Sequence, residues 1–207
     1  MRVIYLHGFA SSPESSKAQY FARRFSELGV QCDVPALDGG DFEHLTITGQ
    51  LRIIEELAGG QPVRLIGSSL GGYLATLYAS RHPETDRVVL LAPAFRFASR
   101  YPVELGPAVM EPWKRTGSRK IFHYGFGEER ELSYRLIEDG TGYPDYPEFA
   151  QPALILHGRK DDVVPVGLSE TFAATHANAQ LLVLESDHQL TDVTETLWDE
   201  TRRFFGL

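Results

Sequence analysis

A turn of small residues separates a short apolar run from a helical stretch in the first third of the chain. Residues 63–66 are predicted to form a buried strand, and the turn at 67–71 reads Gly-Ser-Ser-Leu-Gly before helical spacing begins at residue 72. A sharp turn off a buried strand strains its central residue, and glycines on both sides avoid collisions with it. This G-x-S-x-G pattern at a strand-to-helix junction predicts that Ser69 presents its hydroxyl as a nucleophile.

The same alternation of apolar runs and helical stretches continues along the chain. Strands are predicted at 3–6, 31–35, 63–66, 87–91, 153–156 and 181–184, and helices at 15–28, 46–57, 72–81, 165–178 and 193–205. Short, wholly apolar strands that alternate with helices indicate a parallel sheet covered on both faces. We therefore expect a single α/β domain over residues 1–207, doubly wound, with a mostly parallel sheet of about six strands.

One segment interrupts this alternation. Between Pro93 and Pro152 no further apolar strand of the parallel type is found, yet 11 of the 23 aromatic residues fall in residues 95–149. An insertion of this size over a parallel sheet is typical of a cap that folds across the strand ends. We predict a cap at 94–151, whose aromatic side chains line an apolar pocket, form a small core of their own, or do both.

Composition restricts the partners and the location. The formal net charge of −8 and the absence of any Lys/Arg cluster argue against a nucleic-acid partner. The single cysteine, Cys32, excludes an internal disulfide and is expected to be a buried thiol in a reducing compartment. No run approaches the roughly 18 apolar residues of a membrane helix. These features predict a soluble, cytoplasmic protein without a membrane partner.

A serine hydroxyl needs a neighbouring base to become a nucleophile. In strand-turn-helix sites of this kind the partners follow in the order serine, acid, histidine, which leaves His176 and His188. His176 falls inside the predicted helix, where it has no reason to face Ser69. His188 follows the last predicted strand in a loop, and loops at the carboxyl ends of parallel strands form the ligand-binding crevice. His188 is therefore the predicted general base.

The acid that orients the imidazole should follow the preceding strand. The chain there reads His-Gly-Arg-Lys-Asp-Asp-Val-Val-Pro over residues 157–165, which offers Asp161 and Asp162. Asp161 is preferred because its distance from the strand end leaves room for a turn. Asp162 stays an alternative that is expected to face solvent or to cap the following helix. Asp187 is rejected because side chains adjacent in sequence rarely face each other.

Two backbone N–H groups are predicted to form an oxyanion hole. One belongs to Leu70, directly after the nucleophile, and the second should come from the loop after the first strand. Phe9 is the predicted second donor, with Ala10 as the alternative. His7, at the start of this loop, is expected to steady it.

Residues 5–18 read Tyr-Leu-His-Gly-Phe-Ala-Ser-Ser-Pro-Glu-Ser-Ser-Lys-Ala. Together with the serine turn, the 157–165 loop and the late histidine, this run resembles the small bacterial YqiA-type esterases of the α/β-hydrolase superfamily. The resemblance implies carboxylester hydrolysis, with acyl thioesters as further substrates, and neither a metal nor an organic cofactor. The resemblance assigns the catalytic triad to Ser69, Asp161 and His188. The roles of Ser11, Ser12, Ser15 and Lys17 stay open, with helix capping as one reading of the serines.

Three functional hypotheses follow. The first is a serine carboxylesterase that acts on a small-molecule acyl ester or thioester through an acyl-enzyme. The second keeps the triad but changes the bond, as in a thioesterase, a peptidase or a C–C hydrolase, because the fold supports all of these. The third is a non-catalytic protein that binds a ligand in a hydrolase shell. A dehalogenase is excluded because it would need a carboxylate in place of Ser69.

Overall fold

The computed structural model describes all residues, 1–207. In chain order the strands are β1 Arg2–Leu6, β2 Gln31–Asp33, β3 Arg64–Ser68, β4 Arg87–Leu91, β5 Ser118–His123, β6 Glu128–Ser133, β7 Ala153–Gly158 and β8 Ala179–Leu184. The helices are α1 Ser16–Glu27, α2 Ile47–Ala58, α3 Leu70–Ala79, α4 Phe97–Leu105, α5 Pro107–Thr116, α6 Arg135–Gly140, α7 Val166–Thr175 and α8 Thr194–Phe205, with a 3-10 turn at Thr191–Val193 before α8. The longest helices have 12 residues, and none has the length and hydropathy needed to cross a membrane.

Six strands form one sheet in the order β2-β1-β3-β4-β7-β8, and every pairing in it is parallel. The chain therefore grows outwards from β1 in both directions, which is the doubly wound arrangement. Because all six strands run the same way, their carboxyl ends meet at one edge of the sheet. The predicted fold class is confirmed.

Successive residues of the central strands point to opposite faces, and each face has its own core. Leu65 of β3 belongs to a cluster that packs against α2, α3 and α7, whereas its neighbour Ile66 belongs to a cluster that packs against α1 and α8. A strand buried on both faces is apolar at most positions, because neither side meets water. This explains why these strands are recognisable as continuous apolar runs.

Two details of the sequence prediction are wrong. The helix predicted to reach residue 178 ends at Thr175, and His176 adopts an extended conformation with φ −121°. Its ring instead stacks on Phe172 at a centroid distance of 3.7 Å, a contact that propensity does not reveal. Cys32 is half-buried rather than buried, because β2 is an edge strand. Burial is nevertheless sufficient to raise the pKa of its thiol to about 12.

The insertion between β4 and β7 contains α4, α5, α6 and an antiparallel hairpin of β5 and β6. The sequence did not predict these strands, because they are not apolar runs. The strand β6, for example, reads Glu-Glu-Arg-Glu-Leu-Ser. The hairpin tip contacts the loop after β1. The N–H of Tyr124 donates to the carbonyl of Ala10 at 2.8 Å, and Gly125 lies so close to Ser12 that an added Cβ would be 2.6 Å from the serine Cβ. The interpretation of 94–151 as a cap stays a prediction.

Candidate active site

Ser69 lies between β3 and α3 with φ 53° and ψ −117°, a strained conformation for a residue with a side chain. Close approach of the surrounding backbone explains the flanking glycines. A Cβ on Gly67 would lie 2.2 Å from the carbonyl oxygen of Gly71, and a Cβ on Gly71 would lie 2.1 Å from that of Leu6. The N–H of Ser69 donates to the carbonyl of Leu91 at 2.9 Å. The turn is therefore fixed to the strands on both sides of β3.

The structure brings Ser69, His188 and Asp161 together from three different loops. Nε2 of His188 lies 3.1 Å from Oγ of Ser69, and Nδ1 of His188 lies 2.7 Å from Oδ2 of Asp161. A carboxylate can only accept, so Nδ1 carries the proton and Nε2 offers its lone pair to the serine hydroxyl. The Asp161 side chain is fully buried, and that of His188 is 12% exposed. The geometry therefore suits proton transfer from serine to imidazole.

Asp161 accepts hydrogen bonds on both oxygens. Oδ1 receives the N–H groups of Val163 and Val164 at 2.9 and 2.7 Å, and Oδ2 receives His188 and also Nε2 of His157 at 3.1 Å. Burial by itself would raise the pKa of this carboxyl. The hydrogen bonds from His157, His188 and Val164 outweigh burial and hold the pKa well below its usual range. Asp161 is therefore ionised beside His188.

His157, the last residue but one of β7, is a buried partner of this carboxylate that the sequence analysis did not single out. Its Nε2 also lies 2.9 Å from the carbonyl of Val164, and its Nδ1 lies 2.8 Å from Oγ of Ser169. Since both neighbours of Nε2 are acceptors, Nε2 carries the proton and the Ser169 hydroxyl donates to Nδ1. The available sequence signal was a histidine within an otherwise apolar strand.

The lowered pKa of Asp161 predicts a dependence of stability on pH. A folded-state pKa below the unfolded value of about 3.9 stabilises the fold above that pH, and the contribution is lost as the pH falls further. We expect the difference in unfolding free energy between wild type and Asp161→Asn to stay constant from about pH 7 to 5 and to shrink below about pH 4. Chemical denaturation at several pH values measures it. A difference that persists unchanged at pH 3 would contradict the assigned ionisation.

A hydrogen bond joins the loop that carries Asp161 to the loop that carries His188. After β7, the N–H of Lys160 donates to the carbonyl of Ser186, in the loop after β8, at 2.9 Å. Within that second loop, Oδ1 of Asp187 accepts from the N–H groups of Gln189 and Leu190 at 2.8 and 3.2 Å. Asp187 thus shapes the loop around His188 and, as predicted, is not the carboxylate that contacts the imidazole.

The loop after β1 runs beside Ser69, since a Cβ on Gly8 would lie 3.4 Å from the serine Cβ. The N–H of Phe9 takes part in no hydrogen bond within the protein, and that of Leu70 belongs to the first residue of α3, where N–H groups have no partner within the helix. Both are therefore available to a bound group. His7 is buried in this loop, with Nδ1 donating to the carbonyl of Gly8 and Nε2 accepting from the N–H of Leu37. It steadies the loop, as the sequence analysis expected. The oxyanion-hole assignment itself stays a prediction.

A cavity of about 660 Å³ opens beside Ser69 and His188. One part of its lining is largely apolar and comes from the loops after β1 and β7, the serine turn, α4 and the hairpin: Phe9, Leu70, Phe97, Tyr101, Tyr124 and Val164. Phe9 contacts Phe97 and Tyr101 at ring-centroid distances of 6.0 and 5.9 Å. The other part is polar and comes almost entirely from residues 11–17. The lining beside Ser69 thus has an aromatic part, here called the aromatic wall, and a polar part, here called the polar wall.

Asp162 and His176, the alternatives to Asp161 and His188, do not contact Ser69. Asp162 is exposed and forms no bond to His188, while His176 is buried against Phe172 and does not line the cavity. The capping interpretation of the serines is wrong for Ser15, which precedes α1 but makes no side-chain capping bond.

The chain is similar to known proteins in both sequence and structure. The mitochondrial palmitoyl-protein thioesterase ABHD10 of Bos taurus is 25% identical over 92% of this chain and 67% of its own. The solved mouse alpha/beta hydrolase domain-containing protein 10 has a TM-score of 0.77 at 20% identity, covering 98% of this chain and 90% of that one. Est1E of Butyrivibrio proteoclasticus, solved with ferulic acid bound, has a TM-score of 0.80 at 20% identity, covering 99% and 89%.

These likenesses show the α/β-hydrolase fold. A family model described as an uncharacterised protein family, UPF0227, matches residues 2–204, nearly the whole chain, in agreement with the YqiA-type resemblance of its motifs. The chain therefore belongs to the UPF0227 family and has the α/β-hydrolase fold.

Proposed function

We propose that this protein is a serine hydrolase that cleaves small-molecule carboxylic esters through an acyl-enzyme. The observation that carries the proposal is the pair of contacts at His188, 3.1 Å to the Ser69 hydroxyl and 2.7 Å to the Asp161 carboxylate. A base within hydrogen-bond reach of the nucleophile, itself oriented by a buried carboxylate, is the arrangement that activates serine. The relatives named as hydrolases support the same class of reaction.

In the proposed mechanism, Ser69 attacks the ester carbonyl while Nε2 of His188 takes the hydroxyl proton. Asp161 stabilises the imidazolium that forms. The N–H groups of Phe9 and Leu70 bind the developing oxyanion, and each such donor contributes about 10²–10³ in turnover. His188 then returns the proton to the leaving alcohol. A water molecule, activated by the same imidazole, hydrolyses the acyl-enzyme.

The aromatic wall supports an apolar acyl group as the part of the substrate bound there. Phe97 and Tyr101 belong to α4 and Tyr124 to the hairpin tip, so the insertion supplies half of the residues of this wall. In the proposed function, residues 94–151 therefore act as the cap of the acyl pocket. The shape of this wall depends on the contacts of the hairpin tip with Ala10 and Ser12. That shape restricts which acyl chains fit.

Thioester hydrolysis is the second candidate. It is favoured by the sequence relative named as a palmitoyl-protein thioesterase, which aligns with 92% of this chain. The same serine, histidine and acid serve both reactions, because each proceeds through attack on an acyl carbonyl. Only the leaving group differs.

A substrate panel distinguishes the candidates. Matched 4-nitrophenyl esters and acyl thioesters, each with chains of increasing length, would be assayed for kcat/KM. Turnover of the esters, with the thioesters at or below their level, is the expected result. A consistent preference for thioesters would transfer the assignment to the second candidate. No turnover of any activated ester by the folded protein would favour the ligand-binding hypothesis.

Asp161→Asn should reduce kcat by about 10⁴, as expected when the imidazole loses its orienting carboxylate. All four neighbours of this carboxylate are donors, so an asparagine NH₂ group must face two of them. When the NH₂ group faces His188, Nδ1 must accept a hydrogen bond and the proton of the imidazole moves to Nε2. Nε2 can then no longer take the proton of Ser69. Asp162→Asn is the matched control, because this side chain is exposed, and turnover should change less than about threefold. The reverse order of effects would assign the acid role to Asp162.

A further inference from the structure

The polar wall of the cavity contains an ammonium group that the proposed mechanism does not use. Nζ of Lys17 donates one hydrogen bond, 2.6 Å to the carbonyl of Gln189, and forms no ion pair. An ammonium has three donors, so two of them lack a partner in the protein. Burial lowers its pKa to about 8, with the carboxylates of Asp187 and Asp161 acting in the opposite direction. Lys17 is therefore half-buried, cationic at neutral pH and turned towards the active-site cavity.

The other cation of the cavity lining has an ion-pair partner, although its Nε makes no hydrogen bond. Arg100 pairs with Glu104 and donates to the carbonyl of Val163 at 2.9 Å. The one carboxylate among the lining side chains is Glu14, which is exposed. Partly buried charges without an ion-pair partner are costly in a folded protein, and in clefts they mark functional sites. The two N–H donors of Lys17 that have no partner in the protein are thus an unexplained feature of the polar wall.

Serine side chains line the same cavity as the ammonium, from the loop after β1 and from the first turn of α1, where Lys17 also lies. Ser11, Ser15 and Ser16 all line the cavity, and their hydroxyls make no hydrogen bond within the protein. Ser12 accepts one from the N–H of Glu14 at 3.3 Å and keeps its own proton to donate. Hydroxyl donors around one ammonium match a carboxylate or a phosphate group, whose oxygens accept several charge-assisted hydrogen bonds.

The position of Lys17 also decides which part of the substrate it meets. The proton that leaves with the alcohol comes from His188, so the leaving group must lie on the His188 side of Ser69. Lys17 bonds to the residue next to His188 in sequence. Lys17 is therefore placed to contact the leaving group.

We infer that Lys17 and the serine hydroxyls of residues 11–16 form a subsite for an anionic group, a carboxylate or a phosphate, on the leaving-group part of the substrate. The inference rests on the proposed hydrolase function and deepens it. It gives the Ser-Ser-Pro-x-Ser-x-Lys segment a role in specificity. The preferred substrates are then esters of alcohols or phenols that carry a negative charge.

Matched aryl acetates test this subsite. The neutral ester is methyl 4-acetoxybenzoate, and the two anionic esters are 4-acetoxybenzoate and 4-acetoxyphenyl phosphate. We expect Lys17→Met to lower kcat/KM for an anionic ester about 10- to 100-fold, the range for a hydrogen bond to a charged group. The value for the neutral ester should change less than about threefold. Comparison of the two anionic esters tells a carboxylate subsite from a phosphate subsite.

Two further variants separate charge from loop positioning. Lys17→Gln keeps an N–H donor for the carbonyl of Gln189 but removes the charge, and it should lose the anion preference as Lys17→Met does. Lys114→Met is the matched control, because Lys114 is exposed on α5 and should leave all three esters unaffected. An equal loss on neutral and anionic esters in Lys17→Met, with recovery of both in Lys17→Gln, would make Lys17 a positioning residue for the His188 loop and overturn the subsite.

Binding of the products decides the question without turnover. Titration of 4-hydroxybenzoate and of methyl 4-hydroxybenzoate, followed by protein NMR, should show tighter binding of the anion to wild type and loss of that difference in Lys17→Met. Equal affinities in wild type would overturn the inference. If no ester is hydrolysed but the anion preference is present, the proposed catalytic function fails while the anion subsite stands.

Discussion

Replacement of Ser69 by alanine should lower the turnover of an activated ester by up to about 10⁶-fold, the loss expected when a catalytic serine acts as one unit with its base and acid. Alanine removes only the oxygen, so the contact of His188 with Asp161 is retained. Nothing else in the cavity replaces the nucleophile, because no other hydroxyl of the lining is hydrogen-bonded to His188. Initial rates with 4-nitrophenyl acetate, measured over hours for the variant, provide the test.

Ser80→Ala is the matched control for this replacement. Ser80 is an exposed residue at the end of the same helix, and its hydroxyl donates to the carbonyl of Leu77. Its replacement should leave turnover within about threefold of wild type, as is usual for surface substitutions. Retention of more than a few per cent of the activity in Ser69→Ala, with purity controlled by mass, would show that hydrolysis does not depend on this hydroxyl.

Replacement of His188 by alanine should have a comparable effect, a loss of up to about 10⁶-fold. Without the imidazole, no group within hydrogen-bond reach of Oγ of Ser69 can take its proton. The variant also leaves Asp161 without its closest side-chain donor, although His157 and the N–H groups of Val163 and Val164 still satisfy the carboxylate. We therefore expect the fold to persist, which circular dichroism checks alongside the kinetics.

The control for His188 is His44→Ala, since His44 is exposed and contacts only Asp41 among charged groups. Its turnover should match that of wild type. Near-normal activity in His188→Ala would show that the base lies elsewhere. His157 would then be the histidine to examine, because it contacts Asp161 as well.

The sheet could be predicted because burial on both faces makes its strands apolar throughout. Residues 87–91 were predicted as a strand, and β4 spans the same residues. The hairpin was not predictable in this way. Its strands lie outside the main sheet and are largely exposed, so charged residues are tolerated at most positions. The hairpin is instead held by distant contacts such as that of the Trp113 indole N–H with the carbonyl of Leu132.

Some residues of the candidate site could likewise be predicted from the sequence, and others could not. Ser69, Asp161 and His188 follow the carboxyl ends of β3, β7 and β8, and chain order with loop position was enough to predict that they lie together. Lys17 could not be placed, because its one hydrogen-bond partner, Gln189, is 172 positions away in sequence. His157 was hidden within a strand whose pattern is otherwise apolar, and only the packing against Val164 and Ser169 shows its contact with the acid.

Covalent labelling with a fluorophosphonate, read by intact mass on wild type and on Ser69→Ala, tests the central claim most directly. The probe reacts with an activated serine whatever the natural substrate is. We predict one adduct per chain in wild type and none in Ser69→Ala. Absence of an adduct in correctly folded wild type, or equal labelling of Ser69→Ala, would contradict a nucleophilic Ser69 activated by His188.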